Sequence, residues 1–162
     1  MIHYLLIKLD RILKALTHLS LSNTSLSNII SALKILQYCR NLSMLALSMN
    51  FHGEQMPNDE NLPFKNLESL ILGNCKLRGS IPQWLSSCHK LRLLDLSWNH
   101  LVGSVPSWFG KFESLFYLDL SNNSLKGDIP KSLTELQSLI SGNIKSLTQA
   151  FNFTLLNKED QP

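Results

Sequence analysis

Hydroxyl and carboxylate side chains alternate with leucines in short stretches of this sequence. Asp95 and Ser97 lie in the stretch LLDLSWN, and Asp119 and Ser121 lie in YLDLSNN. Such groups donate or accept hydrogen bonds and can hold the polar groups of a ligand. The five histidines show no metal-binding spacing, the acidic residues form no paired-carboxylate motif, and there is no phosphate-binding loop or nucleophile motif. We therefore predict a binding protein that is not an enzyme and has no cofactor and no metal site.

The composition is that of a globular domain. Of the 162 residues, 44% are hydrophobic and 17% are charged, and the net charge of +3 is not gathered into a basic block, so nucleic acid is not an expected partner. No apolar run approaches the roughly 20 residues of a membrane span. Lys8 and Asp10 interrupt the apolar N-terminal stretch too early for a signal peptide. The odd number of cysteines argues against a disulfide framework and predicts buried free thiols at Cys39, Cys75 and Cys88.

Three consecutive segments, 67–90, 91–114 and 115–138, align without a gap. Leucines, a glycine and a proline recur in register in each of them. Two less regular segments, 16–41 and 42–66, precede these and keep the leucine pattern. The sequence therefore predicts about five stacked repeats over residues 16–138, each of which can bury its leucines only against its neighbours.

Each repeat contains the elements that a stacked unit needs. The pattern L-x-x-L-x-L predicts a short strand with one buried face. The recurrent glycine allows a turn that a Cβ would obstruct, and the following Ile-Pro or Val-Pro step favours extended backbone. Trp84 and Trp108 share one position, where we expect them to pack on the segment that returns to the next strand.

The phrases LRGSIP, LVGSVP and LKGDIP resemble the LxGxIP mark of plant extracellular leucine-rich repeats. The resemblance implies an α/β solenoid: a leucine-rich repeat right-handed superhelix, with short parallel strands on the concave face and irregular, 3-10 or short helical return segments. In repeats of this kind a buried asparagine hydrogen-bonds the turning backbone. The resemblance implies this role for Asn99 and Asn123, with Cys75 as the replacement in the preceding repeat.

Two longer stretches, LSLSNTSLSNIISALKILQYCRNLSMLALSMNFHGEQMP and LFYLDLSNNSLKGDIPKSLTELQSL, resemble the phytosulfokine receptors within that superfamily. Full-length members of this group are receptor kinases on the extracellular face of the plasma membrane, and they recognise a tyrosine-sulfated peptide hormone. The resemblance implies a peptide hormone or protein ligand and a co-receptor kinase ectodomain as a further partner. The signal peptide, most repeats, the membrane span and the kinase of those relatives are not found, so we expect a fragment.

The predicted binding site lies on the concave face. Solenoid geometry places Ser97, Trp98, Tyr117 and Asp119 there, and the resemblance to the receptors adds the matching positions Ser20, Ser22, Ser48 and Asp95. A sulfate needs a cationic partner, and Arg92 at the rim is the one cation that we expect near this face. Sequons mark four possible N-glycosylation sites: Asn23, Asn41, Asn122 and Asn152.

The ends of the chain do not follow the repeat. Residues 1–15 carry apolar residues at helical spacing, which predicts a helix or a degenerate cap. Residues 139–162 lose the register and resemble the start of the non-repeat island of phytosulfokine receptors.

Two other functions remain open from the sequence. The chain could be a generic plant leucine-rich repeat interaction or inhibitor protein, or a non-functional truncated gene product.

Overall fold

The computed structural model describes residues 13–58 and 62–136. Five short strands, one from each repeat, form one parallel sheet and lie side by side in the order of the repeats. The register aligns the central leucines, so that Leu45 pairs with Leu19 and Leu70, and Leu94 pairs with Leu70 and Leu118. Leu45, Leu70 and Leu94 are fully buried, as the alternating pattern predicts. The strands are His18–Ser20 (β1), Met44–Ala46 (β2), Ser69–Ile71 (β3), Leu93–Asp95 (β5) and Tyr117–Asp119 (β7).

A ladder of asparagine side chains ties each repeat to the preceding one. Asn99 donates from Nδ2 to the carbonyl oxygens of Leu72 and Leu96 at 2.9 Å, and its Oδ1 accepts from the amides of Cys75 and Leu77. Asn50 and Asn123 hold the same position in their repeats and make similar bonds. Cys75 holds it in the third repeat, where its Sγ lies 3.5 Å from the carbonyl oxygens of Leu47 and Gly73. The implied ladder and the replacement of asparagine by cysteine are confirmed.

The glycine and proline positions build the return side of the three regular repeats. Gly103 has φ 87°, a conformation that favours glycine, and Pro106 is extended at φ −68° and ψ 137°. A 3-10 helix follows each proline, and these helices span Gln83–Ser87, Ser107–Lys111 and Lys131–Glu135. A second parallel sheet, which the sequence did not predict, joins Arg78–Gly79 (β4), His100–Gly103 (β6) and Ser124–Leu125 (β8).

The first return segment is an α-helix, α1, over Ile29–Leu36. Ile29 and Leu33 are fully buried in the core, and Asn28 caps the helix by accepting from the Ser31 amide at 3.0 Å. Glu54 reaches across from the next repeat, and its two carboxylate oxygens accept from the amides of Asn28 and Ile29 at 2.6 and 2.7 Å. Glu54, which lies in the first of the two stretches that resemble the receptors, therefore links this helix to the next repeat.

The core confirms the predictions for cysteines and return-segment tryptophans. Cys39, Cys75 and Cys88 are free and buried, and burial raises the pKa of the Cys88 thiol to about 12. Trp84 is buried and donates from Nε1 to the Pro57 carbonyl oxygen at 3.0 Å. Trp108 packs against Phe109, with ring centroids 4.5 Å apart.

The predictions for the ends fall almost wholly outside the described residues. Residues 13–15 are helical, and Leu13 and Leu16 pack against the core. The rest of the predicted N-terminal helix and the predicted 139–162 tail lie outside the described residues. The boundaries of the repeats stay predictions. No helix within residues 13–58 and 62–136 is long and apolar enough to span a membrane.

Candidate ligand-binding face

The side of the parallel sheet away from the leucines presents two rows of side chains, which we call the outer sheet face. Each row runs across all five strands because the strands are in register. One row consists of His18, Met44, Ser69, Leu93 and Tyr117, and the other of Ser20, Ala46, Ile71, Asp95 and Asp119. Ser22, Ser48 and Ser97 each lie two positions after the last residue of their strand.

Three predicted site residues offer available hydroxyl groups. Ser20 is exposed, and Ser22 and Ser48 are half-buried. None of the three hydroxyls makes a hydrogen bond within the described part of the chain. Each can therefore donate to and accept from a ligand without breaking a bond inside the protein.

Asp95 and Ser97 differ from these serines because they bond to each other. The Asp95 Oδ1 accepts from the Ser97 amide at 2.9 Å and from the Ser97 hydroxyl at 2.6 Å. The two residues are 8% and 7% exposed. A Cβ at Gly73 of the neighbouring repeat would lie 3.2 Å from both carboxylate oxygens, so the missing side chain there makes room for the pair. A ligand that uses the Ser97 hydroxyl must compete with the aspartate.

The same pair recurs one repeat later in a more open setting. The Asp119 Oδ1 accepts from the amide and the hydroxyl of Ser121 at 2.9 and 2.7 Å, and the Tyr117 hydroxyl lies 3.4 Å from the Asp119 Oδ2. Burial raises the pKa of Tyr117, and the charges of Asp119 and Asp95 raise it further. The phenol therefore stays protonated and acts as a hydrogen-bond donor. Ser121, which the repeated Asp-x-Ser spacing pairs with Asp119, is exposed.

Trp98 is the exposed aromatic residue beside this face. It follows Ser97 with φ 55° and is 61% exposed. Met49 and Asn122 hold the same turn position in their repeats, with φ 58° and 52°. The turn presents the indole ring to solvent, while the next residue, Asn99, is buried in the ladder.

Arg92, the cation expected at the rim, is already engaged. Its Nη1 lies 3.6 Å from the Glu68 Oε2, and its guanidinium lies 5.4 Å from the centroid of the Phe116 ring. A sulfate group at this position would have to displace the Glu68 carboxylate from Arg92 or share Arg92 with it.

Three of the four predicted glycosylation sites are described, and all three asparagines are exposed. Asn23 and Asn122 lie in left-handed turn positions. The Asn41 Nδ2 donates to the Lys14 carbonyl oxygen at 2.7 Å. Asn152 lies outside the described residues.

Comparisons with known proteins agree with this geometry. A family profile described as Leucine Rich Repeat matches residues 66–88, 90–112 and 114–136. The chain is 57% identical over 86 residues to phytosulfokine receptor 1 of Arabidopsis thaliana, and this match covers 53% of the chain and 8% of the receptor. It is 54% identical over 68 residues to phytosulfokine receptor 2 of the same plant, which covers 42% of the chain and 6% of the receptor. The chain thus spans under a tenth of either receptor.

Solved structures show the same fold. The Arabidopsis receptor kinase HAESA, in complex with the peptide hormone IDA and the co-receptor SERK1, superposes with a TM-score of 0.59 at 35% identity, covering 64% of this chain and 17% of HAESA. The leucine-rich repeat ectodomain of the Arabidopsis receptor kinase SOBIR1 gives 0.63 at 32% identity and covers 74% of this chain and 63% of that ectodomain. The chain folds as a leucine-rich repeat solenoid similar to the ectodomains of plant receptor kinases, and over about half of its length it is similar to the phytosulfokine receptors.

Proposed function

We propose that the outer sheet face binds a peptide through the hydroxyls of Ser20, Ser22 and Ser48. The observation that carries the proposal is that these three predicted site residues lie on two adjacent strands or directly after them, with hydroxyls that no described residue engages. A peptide backbone has the alternating donors and acceptors that such hydroxyls can pair with.

The ligand that fits the proposal best is a phytosulfokine-type sulfated peptide. Support comes from the 57% and 54% identity to two receptors that carry this hormone in their names. Because the matches cover under a tenth of either receptor, the proposed site is the portion of a larger receptor surface that this chain supplies.

Calorimetric titration with the sulfated hormone tests the proposal. The double variant Ser22→Ala/Ser48→Ala should weaken binding about tenfold or more, because two ligand hydrogen bonds of about 1 kcal/mol each are lost. The matched control, Ser80→Ala/Ser104→Ala, removes two exposed hydroxyls outside the proposed site and should bind as the unaltered chain does. Absence of binding, or an equal loss of affinity in both double variants, would contradict the proposed peptide site.

The unsulfated peptide tests the identity of the ligand separately. If the hormone is the ligand, its unsulfated form should bind more weakly, since charge-assisted hydrogen bonds are roughly twice as strong as neutral ones. Equal binding of the two forms would leave a peptide site but contradict the assignment to a sulfated hormone.

A second candidate function is recognition of a partner protein, and Trp98 favours it. Exposed tryptophans are enriched among the residues that dominate protein–protein binding energy, and the complex of HAESA with SERK1 illustrates a receptor kinase bound to its co-receptor. Trp98→Ala should then reduce binding of a co-receptor kinase ectodomain to the chain while the affinity for peptide alone stays unchanged.

The proposed receptor function places the chain outside the cell. In that location the exposed Asn23, Asn41 and Asn122 are accessible acceptors for N-glycosylation. When it is fused to a secretion signal and expressed in a plant cell line, the secreted chain should lose mass after enzymatic removal of N-glycans, and an unglycosylated secreted chain would contradict the proposed modification.

A further inference from the structure

Trp98 belongs to a row of residues that hold the same turn position in successive repeats, just beyond the end of each strand of the larger sheet. All members of this row, which we call the turn column, have φ between 52° and 58°. Because they share this conformation at equivalent positions of aligned repeats, their side chains leave the stack on the same side. The members of the turn column are Asn23, Met49, Asn74, Trp98 and Asn122.

Backbone hydrogen bonds hold the members of the turn column side by side. The amide of each one donates to the carbonyl oxygen of the residue that precedes the next member. Asn74 donates in this way to Ser97 at 2.9 Å, and Trp98 donates to Ser121 at 2.9 Å. The second bond places Trp98 directly beside Asn122, at about the 4.8 Å that separates neighbouring strands.

Asn122 is an acceptor for an N-linked glycan at this place. It begins the sequon formed with Asn123 and Ser124. Asn122 is exposed, and its side chain makes no hydrogen bond within the described part of the chain. A glycan is attached through the Nδ2 atom, so its first sugar begins at about the height above the turn at which the neighbouring indole ring lies.

The indole ring of Trp98 offers the surface that such a sugar can cover. The residue is 61% exposed, and both of its neighbours in the turn column, Asn74 and Asn122, have shorter side chains. The first sugar of an N-glycan is N-acetylglucosamine, whose ring has an apolar face of C–H groups. Packing this face on the indole removes apolar surface from water and brings C–H groups to the electron-rich face of the aromatic ring.

We propose that Trp98 is the platform for the first N-acetylglucosamine of a glycan on Asn122, with the apolar face of the sugar packed on the indole ring. The inference rests on the proposed glycosylation and goes beyond it by assigning the exposed ring an occupant within the same chain. A ring covered in this way is not available to a partner protein. The glycan on Asn122 and the partner of the second candidate function therefore compete for Trp98.

NMR of the secreted chain, trimmed enzymatically to a single N-acetylglucosamine at each occupied site, tests the contact. Protons that lie over an aromatic ring shift upfield, so the sugar on Asn122 should show upfield-shifted ring protons that return to their ordinary position in Trp98→Ala. The sugar on Asn23 is the matched control, because its neighbour in the turn column is Met49. Its signals should be the same in both chains. Ordinary shifts at Asn122, or shifts that Trp98→Ala leaves unchanged, would overturn the proposal.

Urea denaturation of the glycosylated chains gives a second readout. Asn122→Gln removes the glycan and should lower the denaturation midpoint, and the shift should be smaller in the Trp98→Ala background, where the sugar has already lost its platform. Asn23→Gln should have the same effect in both backgrounds.

Mass spectrometry of the peptide that contains Asn122 separates the two ways to fail. An occupied Asn122 whose loss has equal effects in both backgrounds would overturn the platform alone. An unoccupied Asn122 would contradict the proposed glycosylation at this site as well.

Discussion

A single asparagine in a regular repeat joins two turns of the chain. Asn99 is buried, and its amide group bonds backbone groups of its own repeat and of the preceding one, including Leu72, Cys75 and Leu96. These backbone groups are shielded from water. The side chain therefore contributes mainly by satisfying groups that would otherwise be buried without a partner.

Asn99→Ala should lower the free energy of unfolding by on the order of 3 kcal/mol, because several buried backbone groups lose their partner at once. Urea denaturation measures the loss. Asn123→Ala is the matched control, since Asn123 has the same role but is only partly buried, and its loss should be smaller. Equal losses, or a loss below about 1 kcal/mol at Asn99, would contradict the ladder as a stabilising element.

The buried thiol of Cys88 predicts a pH dependence of stability. Its pKa is raised by burial from the ordinary 9.0 to about 12, so the unfolded chain loses the thiol proton at lower pH than the folded chain. The contribution is fully present below pH 9.0 and is lost as the pH rises toward 12, by up to about 1.4 kcal/mol for each pH unit.

Denaturation at about pH 8 and about pH 10 should show this decline, and Cys88→Ala should reduce it while lowering stability at both values. A decline of the same size in the variant would assign the effect to other groups.

The elements depend on contacts between repeats as much as on their own sequences. Helix α1 illustrates this, because the carboxylate of Glu54 in the second repeat bonds two amides at its beginning. Negative charge at this end also interacts favourably with the helix dipole. The helix has only eight residues and would be marginal without packing and capping.

Glu54→Gln should destabilise the chain by about 1 kcal/mol, because a neutral amide replaces a carboxylate that accepts two backbone hydrogen bonds. Urea denaturation followed by circular dichroism measures the effect. Glu68→Gln removes the same charge from the exposed pair with Arg92 and should cost no more than about 0.5 kcal/mol. A larger loss at Glu68 than at Glu54 would show that the cap is unimportant.

The strands and turns were predictable because each repeat carries their signals locally. The leucine spacing gave the register of Leu45, Leu70 and Leu94, and the step before Pro106 gave the extended backbone. The second parallel sheet and the Glu54 cap were not predictable, since both depend on how neighbouring return segments dock.

The sequence predicted which candidate residues lie on or just after the strands, but not which of them are already hydrogen-bonded. Asp95 lies on the outer sheet face and Ser97 follows the end of its strand, but the burial of the pair depends on Gly73 in the neighbouring repeat. Whether a polar side chain is free or already bonded follows from such neighbours, and the repeat pattern does not contain that information. The hydroxyls that remain available, such as Ser48, could be recognised only from the structure.

On the scale of the whole molecule, the stack presents its aligned polar side chains on the outer sheet face. This face offers hydroxyls at one end and the Asp119–Tyr117 group at the other. One continuous leucine-rich core lies behind it. The outer sheet face is therefore the surface that we expect a peptide to contact.

Chemical-shift mapping with the sulfated phytosulfokine peptide tests this claim most directly. At saturation, the account predicts shifts of the amide signals of Ser20, Ser22 and Ser48, and unchanged signals for the return helix Gln83–Ser87. Shifts confined to return segments, or a spectrum that stays unchanged at Ser20, Ser22 and Ser48, would contradict it.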